Sequence, residues 1–352
     1  MLSKCLVACN VYLSAGLPRY APLLVQLLED AQKQCHGQNA IIVHAFSDTS
    51  YDRSSFHIAG SPLAVASVAS NLACQAIEVL SKHKKTNKGE DIPSSSELEH
   101  PTVGLVDHIS VLPLADHNRH PSMTLTEWTK QHETPKNFIQ NKKDDQDDDL
   151  PVKCLPSGWV ARMIGENLKQ SSSVHVLYYG HAHVNQKSLA KVRREETAFF
   201  KLSINKQNSN KNKLPKSQCT IGAPDEFVEN FNIRLSNKIS KSKAQSLTRW
   251  VREKDGGLPF VEALTLPYSN NRYEVACNLV NPIVTNTNDV QERVRQYLEV
   301  EPFLETCYRV GTTEEQCLNA LEETQTDVEK EKYNRRVQEQ LKGYLFADTT
   351  IN

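Results

Sequence analysis

The chain has 352 residues, with 41 Lys and Arg against 42 Asp and Glu for a net charge of −1, so no overall positive field draws it to nucleic acid. Its apolar fraction of 39% lies below the ~45–50% of ordinary soluble domains, and no apolar run approaches the ~18–20 residues of a bilayer span. Nine cysteines, an odd number without paired short spacings, fit reduced thiols in a cytoplasmic protein, and Met1–Leu13 carries no leader pattern.

At roughly 150 residues per domain the length suggests two domains. Leu6–Leu13 (LVACNVYL) reads as a buried strand, with Cys9 on its apolar side. Pro18 opens a helix with Leu24, Leu27, Leu28, Ala31 and Cys35 at helical spacing, and Gly37 closes it. Ala40–Phe46 and Ser54–Ala59 read as strands joined by turn chemistry over Asp48–Asp52. Ser61-Pro62 then launches a long helix through Leu80. Val103–Leu112 supplies a fourth strand. The order β-α-β-β-α-β is that of a ferredoxin-like unit.

Polar insertions interrupt this rhythm near 81–99, 115–152 and 202–217, the second ending in an acidic run and the third rich in Lys, Asn and Ser. The second and third bury too little apolar surface to offset chain ordering, so these two are expected to lack packed structure. A helix near Ser157–Lys169, a strand at Val174–Tyr179 and a helix over Leu189–Phe200 lie between the last two. Downstream the rhythm repeats, with strands at Glu226–Leu235, Leu258–Leu266, Tyr273–Val280 and Phe303–Val310. Helices are expected over Ser240–Lys254 and after Asn288, and the capping box Thr312–Glu315 opens another. Thr326–Leu345 spaces Val328, Tyr333, Val337, Leu341 and Tyr344 as an amphipathic tail helix. The expected fold class is α+β, two ferredoxin-like subdomains over 1–222 and 223–325, with a helical tail at 326–352.

No phosphate loop, dinucleotide fingerprint or nucleophile elbow occurs. His181 and His183 have metal-like spacing but lack further ligands nearby, so no metal is expected. The denser signal is Glu99-His100-Pro101-Thr102-Val103-Gly104-Leu105-Val106-Asp107-His108. It places a His at a strand mouth, where an imidazole can move protons near neutral pH; a surface-loop His is the plainer reading. Strand alternation puts His108 on the face opposite Asp107, where it would serve stability rather than chemistry.

This segment resembles the Glu-His-Pro-Arg-Met-Gly-Ala-Leu-Asp stretch of glutamate formiminotransferases. Cys9–Gly16, Tyr51–Ser54 with Gly60, Val174–Ala182, Ser188-Leu189 with Arg193, and Phe231–Ile233 resemble other family segments in the same order. Glu274–Pro282 is similar to the plant members. The resemblance implies two subdomains whose sheets face each other across a folate-binding tunnel. It also implies transfer of a formimino group from N-formimino-glutamate to tetrahydrofolate, the co-substrate. His100 would be the general acid and base, and Arg53 would pair with a substrate carboxylate. Asp107 would orient groups or meet the pterin, and Tyr12, Ser14, Gly180 and Asn278 would fall among substrate-binding positions. Tyr12, Ala15, Asp52, Thr102 and His181 depart from the family's Asn, Glu, Asn, Arg and Glu. Two alternatives therefore stand: a folate-binding relative without transfer activity, and an interaction protein acting through its tail helix. The expected partners are folate and formimino-glutamate-like small molecules, with no nucleic acid and no membrane; a homodimer is left open.

Overall fold

The computed structural model describes residues 6–86, 101–114, 156–197, 199, 217–297 and 301–346. His100 and most of the three polar insertions lie outside them.

The first sheet has six strands, ordered β2-β3-β1-β4-β6-β5. These are β1 (Leu6–Leu13), β2 (Ala40–Asp48), β3 (Arg53–Gly60), β4 (Val106–Leu114), β5 (His175–Gly180) and β6 (Gln218–Ala223). β1 pairs antiparallel with both β3 and β4, while β6 runs parallel to β4 and β5. Alternation along β1 sends Val7, Cys9, Val11 and Leu13 to one face. There α1 (Ala21–Gln34), α2 (Pro62–Thr86) and α3 (Pro156–Ser171) bury Leu24, Leu28, Leu72, Leu80, Trp159 and Ile164 against the sheet. Over Pro62–His83, α2 is long and apolar enough to cross a membrane by length and composition, contrary to the sequence reading. Its apolar side is core, with Val65, Ala69, Leu72, Ala76 and Leu80 fully buried. A short helix, α4 (Leu189–Glu196), follows β5 and is capped by the Ser188 hydroxyl.

The second sheet is ordered β10-β7-β9-β8. Its strands are β7 (Glu229–Leu235), β8 (Val261–Tyr268), β9 (Arg272–Leu279) and β10 (Leu304–Val310). On one face α5 (Lys241–Val251) and α6 (Thr287–Arg295) enclose Ile233, Leu247, Val275, Leu279, Val290 and Val294. Both sheets place the fourth strand of the unit beside the first, the third on its other side and the second at the edge. The two subdomains are thus the same βαββαβ fold, and the mixed α+β class expected from sequence is the one found.

β6 is an addition that the sequence reading did not register. The last two helices also sit where periodicity alone does not say. α7 (Glu314–Glu323) follows β10, yet it packs Cys317, Ala320 and Leu321 on Ala8, Ile41, Ala59 and Leu112 of the first sheet. α8 (Asp327–Phe346) lies along β2 and α1, burying Val337, Leu341 and Leu345 in the main core. The tail helix is present as expected, but its face is rotated: Val328 is 77% exposed and Leu345 is buried.

Candidate active site

The inner face of the first sheet is divided. α7 covers its apolar part, and the remainder, from Asn10 and Tyr12 to Ser55, His108 and Ser110, faces the second sheet across a cavity of about 610 Å³. From the other side β7, β8 and β9 contribute Asn230, Asn232, Glu262, Leu264 and Asn278. The volume is within the ~300–1,000 Å³ range of small-molecule sites.

Two arginines define one part of the wall. Arg53, at the start of β3, and Arg193, on α4, both line the cavity. Asp107 is fully buried beneath them, and its Oδ2 accepts from Arg53 Nη2 at 2.8 Å and Arg193 Nη2 at 3.1 Å. Among the described residues two cations thus share one carboxylate in a poorly solvated wall, an arrangement that suits an anionic ligand. Burial pulls the Arg193 pKa down, and Asp107 opposes that pull. Arg53 also lies over the Tyr12 ring at 4.8 Å, and Arg193 over Phe199 at 4.2 Å.

Asp107 has a second task. Its Oδ1 accepts from Val103 N at 2.8 Å, Ser14 Oγ donates to Gly104 O at 2.6 Å, and Ser14 N donates to Leu105 O at 2.9 Å. At Gly104 a Cβ would stand 2.1 Å from the Gln218 carbonyl oxygen, so only glycine lets this segment pass β6 so closely. Ser14 is therefore not in the cavity wall; with Asp107 it ties down the stretch that leads out of Pro101. His100 lies outside the described residues.

Of the other positions expected from sequence, Tyr12, Gly180 and Asn278 line the cavity. The Tyr12 hydroxyl donates to Asn230 Oδ1 at 3.0 Å, and Asn230 Nδ2 donates to Asn278 Oδ1 at 2.7 Å, a chain that spans the two sheets. Burial raises the Tyr12 pKa and keeps it a phenol. His108 corrects the sequence reading: it pairs with Tyr12 in the regular part of the β1–β4 ladder and lines the cavity on the same side as Ser110, while the register shift between Tyr12 and Leu13 falls at Asp107. Its ring is stacked between Tyr12 and Tyr179, with centroids at 5.6 and 5.4 Å. Burial, together with the nearby Arg193, holds its pKa well below the ordinary value, so this imidazole stays neutral.

A second polar cluster joins the sheets. Glu274 on β9 is fully buried and accepts from Tyr51 Oη at 2.8 Å, Tyr308 Oη at 2.7 Å, Arg234 Nε at 2.8 Å and Asn232 Nδ2 at 3.1 Å. Asp48 lies beside it at the cavity wall, accepting from Tyr51 N at 3.0 Å. Burial raises its pKa, and neighbouring Glu274 adds to the effect. Asp52 turns inward as a brace, its Oδ1 accepting from Gly16 N and Leu17 N. Asn10, Ser110, Tyr179 and Arg193 are cavity-wall residues to which the sequence reading gave no role. The signal for Asn10 was a polar side chain inside an otherwise apolar strand.

Among the described residues no group of three or more His, Cys, Asp or Glu could hold a metal ion. His181 instead pairs with Asp225, Nε2 to Oδ1, at 2.6 Å.

Residues 6–132 match the family model of the formiminotransferase domain, N-terminal subdomain. A formiminotransferase cyclodeaminase-like protein of Arabidopsis thaliana is 24% identical over 321 residues, covering 86% of this chain and 92% of that protein. Together they support a formiminotransferase-family assignment. The formiminotransferase match takes in β1 to β4 and hence Tyr12, Arg53 and Asp107. Arg193 and the second sheet lie beyond it. Among solved structures, the periplasmic protease PqqL from Escherichia coli aligns at 10% identity over 98% of this chain and 42% of that chain. Its TM-score of 0.19 carries no argument about fold or function.

Proposed function

We propose that this chain binds a reduced folate between its two sheets and transfers to it the formimino group of N-formimino-glutamate. In that reaction the folate amine attacks the amidine carbon, a tetrahedral adduct forms, and the glutamate nitrogen leaves. Arg53 and Arg193 hold a carboxylate of the donor, Asp107 fixes both guanidinium groups, and His100 moves the protons from the loop that Asp107 also anchors. The observation that carries this reading is the Arg53–Asp107–Arg193 arrangement in the wall of a cavity large enough for a folate, in a chain of formiminotransferase type.

A second reading, folate binding without transfer, is favoured by three positions. Ala15 is fully buried where the family has Glu, Thr102 stands where it has Arg, and His181 pairs with Asp225 where it has Glu. A transfer assay with N-formimino-glutamate and tetrahydrofolate decides between them. Glutamate release that requires both substrates supports the first reading. Calorimetric binding of the folate with no glutamate release supports the second.

A further inference from the structure

Thr220 lies on β6 as the register partner of His108 and is fully buried. Among the described residues three polar groups converge on its hydroxyl. Oγ1 donates to Asp107 O at 3.1 Å, accepts from Arg193 Nη2 at 3.4 Å and stands 3.1 Å from His108 Nδ1. A hydroxyl has one proton and two lone pairs. The proton goes to Asp107 O, because a carbonyl only accepts, and the guanidinium takes one lone pair, because it only donates. The second lone pair is what meets His108, so Nδ1 must be the protonated nitrogen of that ring. The other tautomer would set two lone pairs against each other in a buried site. His108 Nε2 is then the acceptor nitrogen. Its neighbour Tyr179 Oη, at 3.4 Å, sends its own proton to Ser110 Oγ at 3.0 Å.

We infer that Thr220 is a positioning residue of this site: its hydroxyl locks His108 as the Nδ1–H tautomer and, resting on the transfer reading above, seats Arg193 to meet the carboxylate of the donor. Both side-chain hydrogen bonds of Arg193 among the described residues, to Asp107 Oδ2 and to Thr220 Oγ1, use Nη2. One anchor would leave a planar guanidinium free to turn about that contact, and a second anchor sets its plane. His108 and Arg193 both line the cavity. One buried hydroxyl thus sets the polarity of two neighbouring wall groups, an acceptor nitrogen on the imidazole and donors on the guanidinium. Because the imidazole stays neutral, its tautomer rather than its charge decides what it offers a ligand. Thr220 itself is fully buried and acts through these two side chains.

The test is two measurements on the full chain. Nitrogen-15 NMR of histidine-labelled protein, with His108 identified by the signals missing from His108→Gln, is expected to show Nδ1 protonated in the wild type and in Thr220→Ser. Thr220→Val keeps the shape of the side chain without its hydroxyl and is expected to lose that signature. In transfer kinetics Thr220→Val is expected to raise the KM for N-formimino-glutamate ~10-fold while the KM for tetrahydrofolate changes by no more than a few-fold, and Thr220→Ser is expected to restore wild-type values. A threonine that only supports the fold would lower the melting temperature and leave the tautomer and the ratio of the two KM values unmoved. An Nε2–H imidazole in the wild type overturns the inference without any variant, which keeps it falsifiable if Thr220→Val does not fold. The wild-type tautomer in folded Thr220→Val, or an unchanged KM for N-formimino-glutamate in that variant, overturns it as well. Absence of transfer by the wild type overturns the transfer reading instead, and the NMR result alone then decides the lock.

Discussion

Arg53 and Arg193, one at the start of a strand and the other on a helix far along the chain, converge on the same oxygen of Asp107 at 2.8 and 3.1 Å. Neither guanidinium could be held so near the other in a poorly solvated wall without that carboxylate, because like charges repel strongly where water is scarce. The same side chain anchors Val103 N. One residue thus sets both the charge of the cavity and the course of the loop before β4.

Removing that carboxylate is expected to be expensive. Asp107→Ala leaves two cations facing each other around a buried void and should lower stability by about 3–5 kcal/mol. Asp107→Asn keeps the volume but not the charge and should fall between that variant and the wild type. Urea unfolding monitored by circular dichroism checks the order, and equal midpoints for all three chains would contradict it.

His44 should make the fold acid-sensitive. It is buried on β2, with its ring edge-on to His57 and Tyr344, and burial pushes its pKa down to about 4, with its hydrogen bond to the Gln340 side chain opposing. The unfolded chain takes up this proton near the usual 6.5, the folded chain only near 4. Stability is therefore complete above pH 6.5 and declines as the pH falls from 6.5 towards 4. At ~1.4 kcal/mol per pKa unit the full loss approaches ~3 kcal/mol. His44→Phe should flatten that decline in melting curves between pH 7 and pH 5. An equally steep decline in the variant would show that other groups carry it.

Gly180 closes β5 with φ at +56°, and a Cβ there would stand 2.0 Å from the Ala223 carbonyl oxygen. Gly180→Ala should cost about 2–4 kcal/mol by combining backbone strain with a clash against β6. A thermal melt within a degree of the wild type would contradict this. The result also separates two roles for the position, since a residue needed only to contact substrate would lower affinity and leave the melt unchanged.

His100→Ala should reduce transfer by ~10²–10⁴-fold, the usual contribution of a general acid–base group, while folinic acid binding stays within a few-fold. Near-normal turnover in the variant would show that the proton traffic runs through another group.

Much of this architecture was legible in the sequence, because periodicities of two and of 3.6 residues alternate cleanly through both subdomains. The expected capping box sits one residue later than read, with Thr313 as the cap and its hydroxyl accepting from Gln316 N; Ser240 caps another helix by accepting from Lys243 N. β6 was not legible: Gln218–Ala223 is short and of mixed composition, and it becomes a strand because β4 and β5 flank it. The cavity-facing position of His108 follows strand alternation with Ser110, but which side of the sheet meets the second subdomain is decided by tertiary packing. The same holds for α7, whose apolar stripe is visible in sequence but whose seat on the first sheet is decided by tertiary packing. Arg193 reads locally as one of several charges on a short helix, and only the fold brings it to Asp107.

The account is tested most directly by steady-state transfer kinetics of Arg53→Ala beside the wild type. Asp107 keeps Arg193 as a partner in this variant, so the site should persist with one guanidinium fewer. Loss of a charge-assisted contact predicts a KM for N-formimino-glutamate raised ~10–100-fold, with the KM for tetrahydrofolate changed by no more than a few-fold. Equal KM values for N-formimino-glutamate in the two chains, or no transfer by the wild type with both substrates saturating, would contradict it.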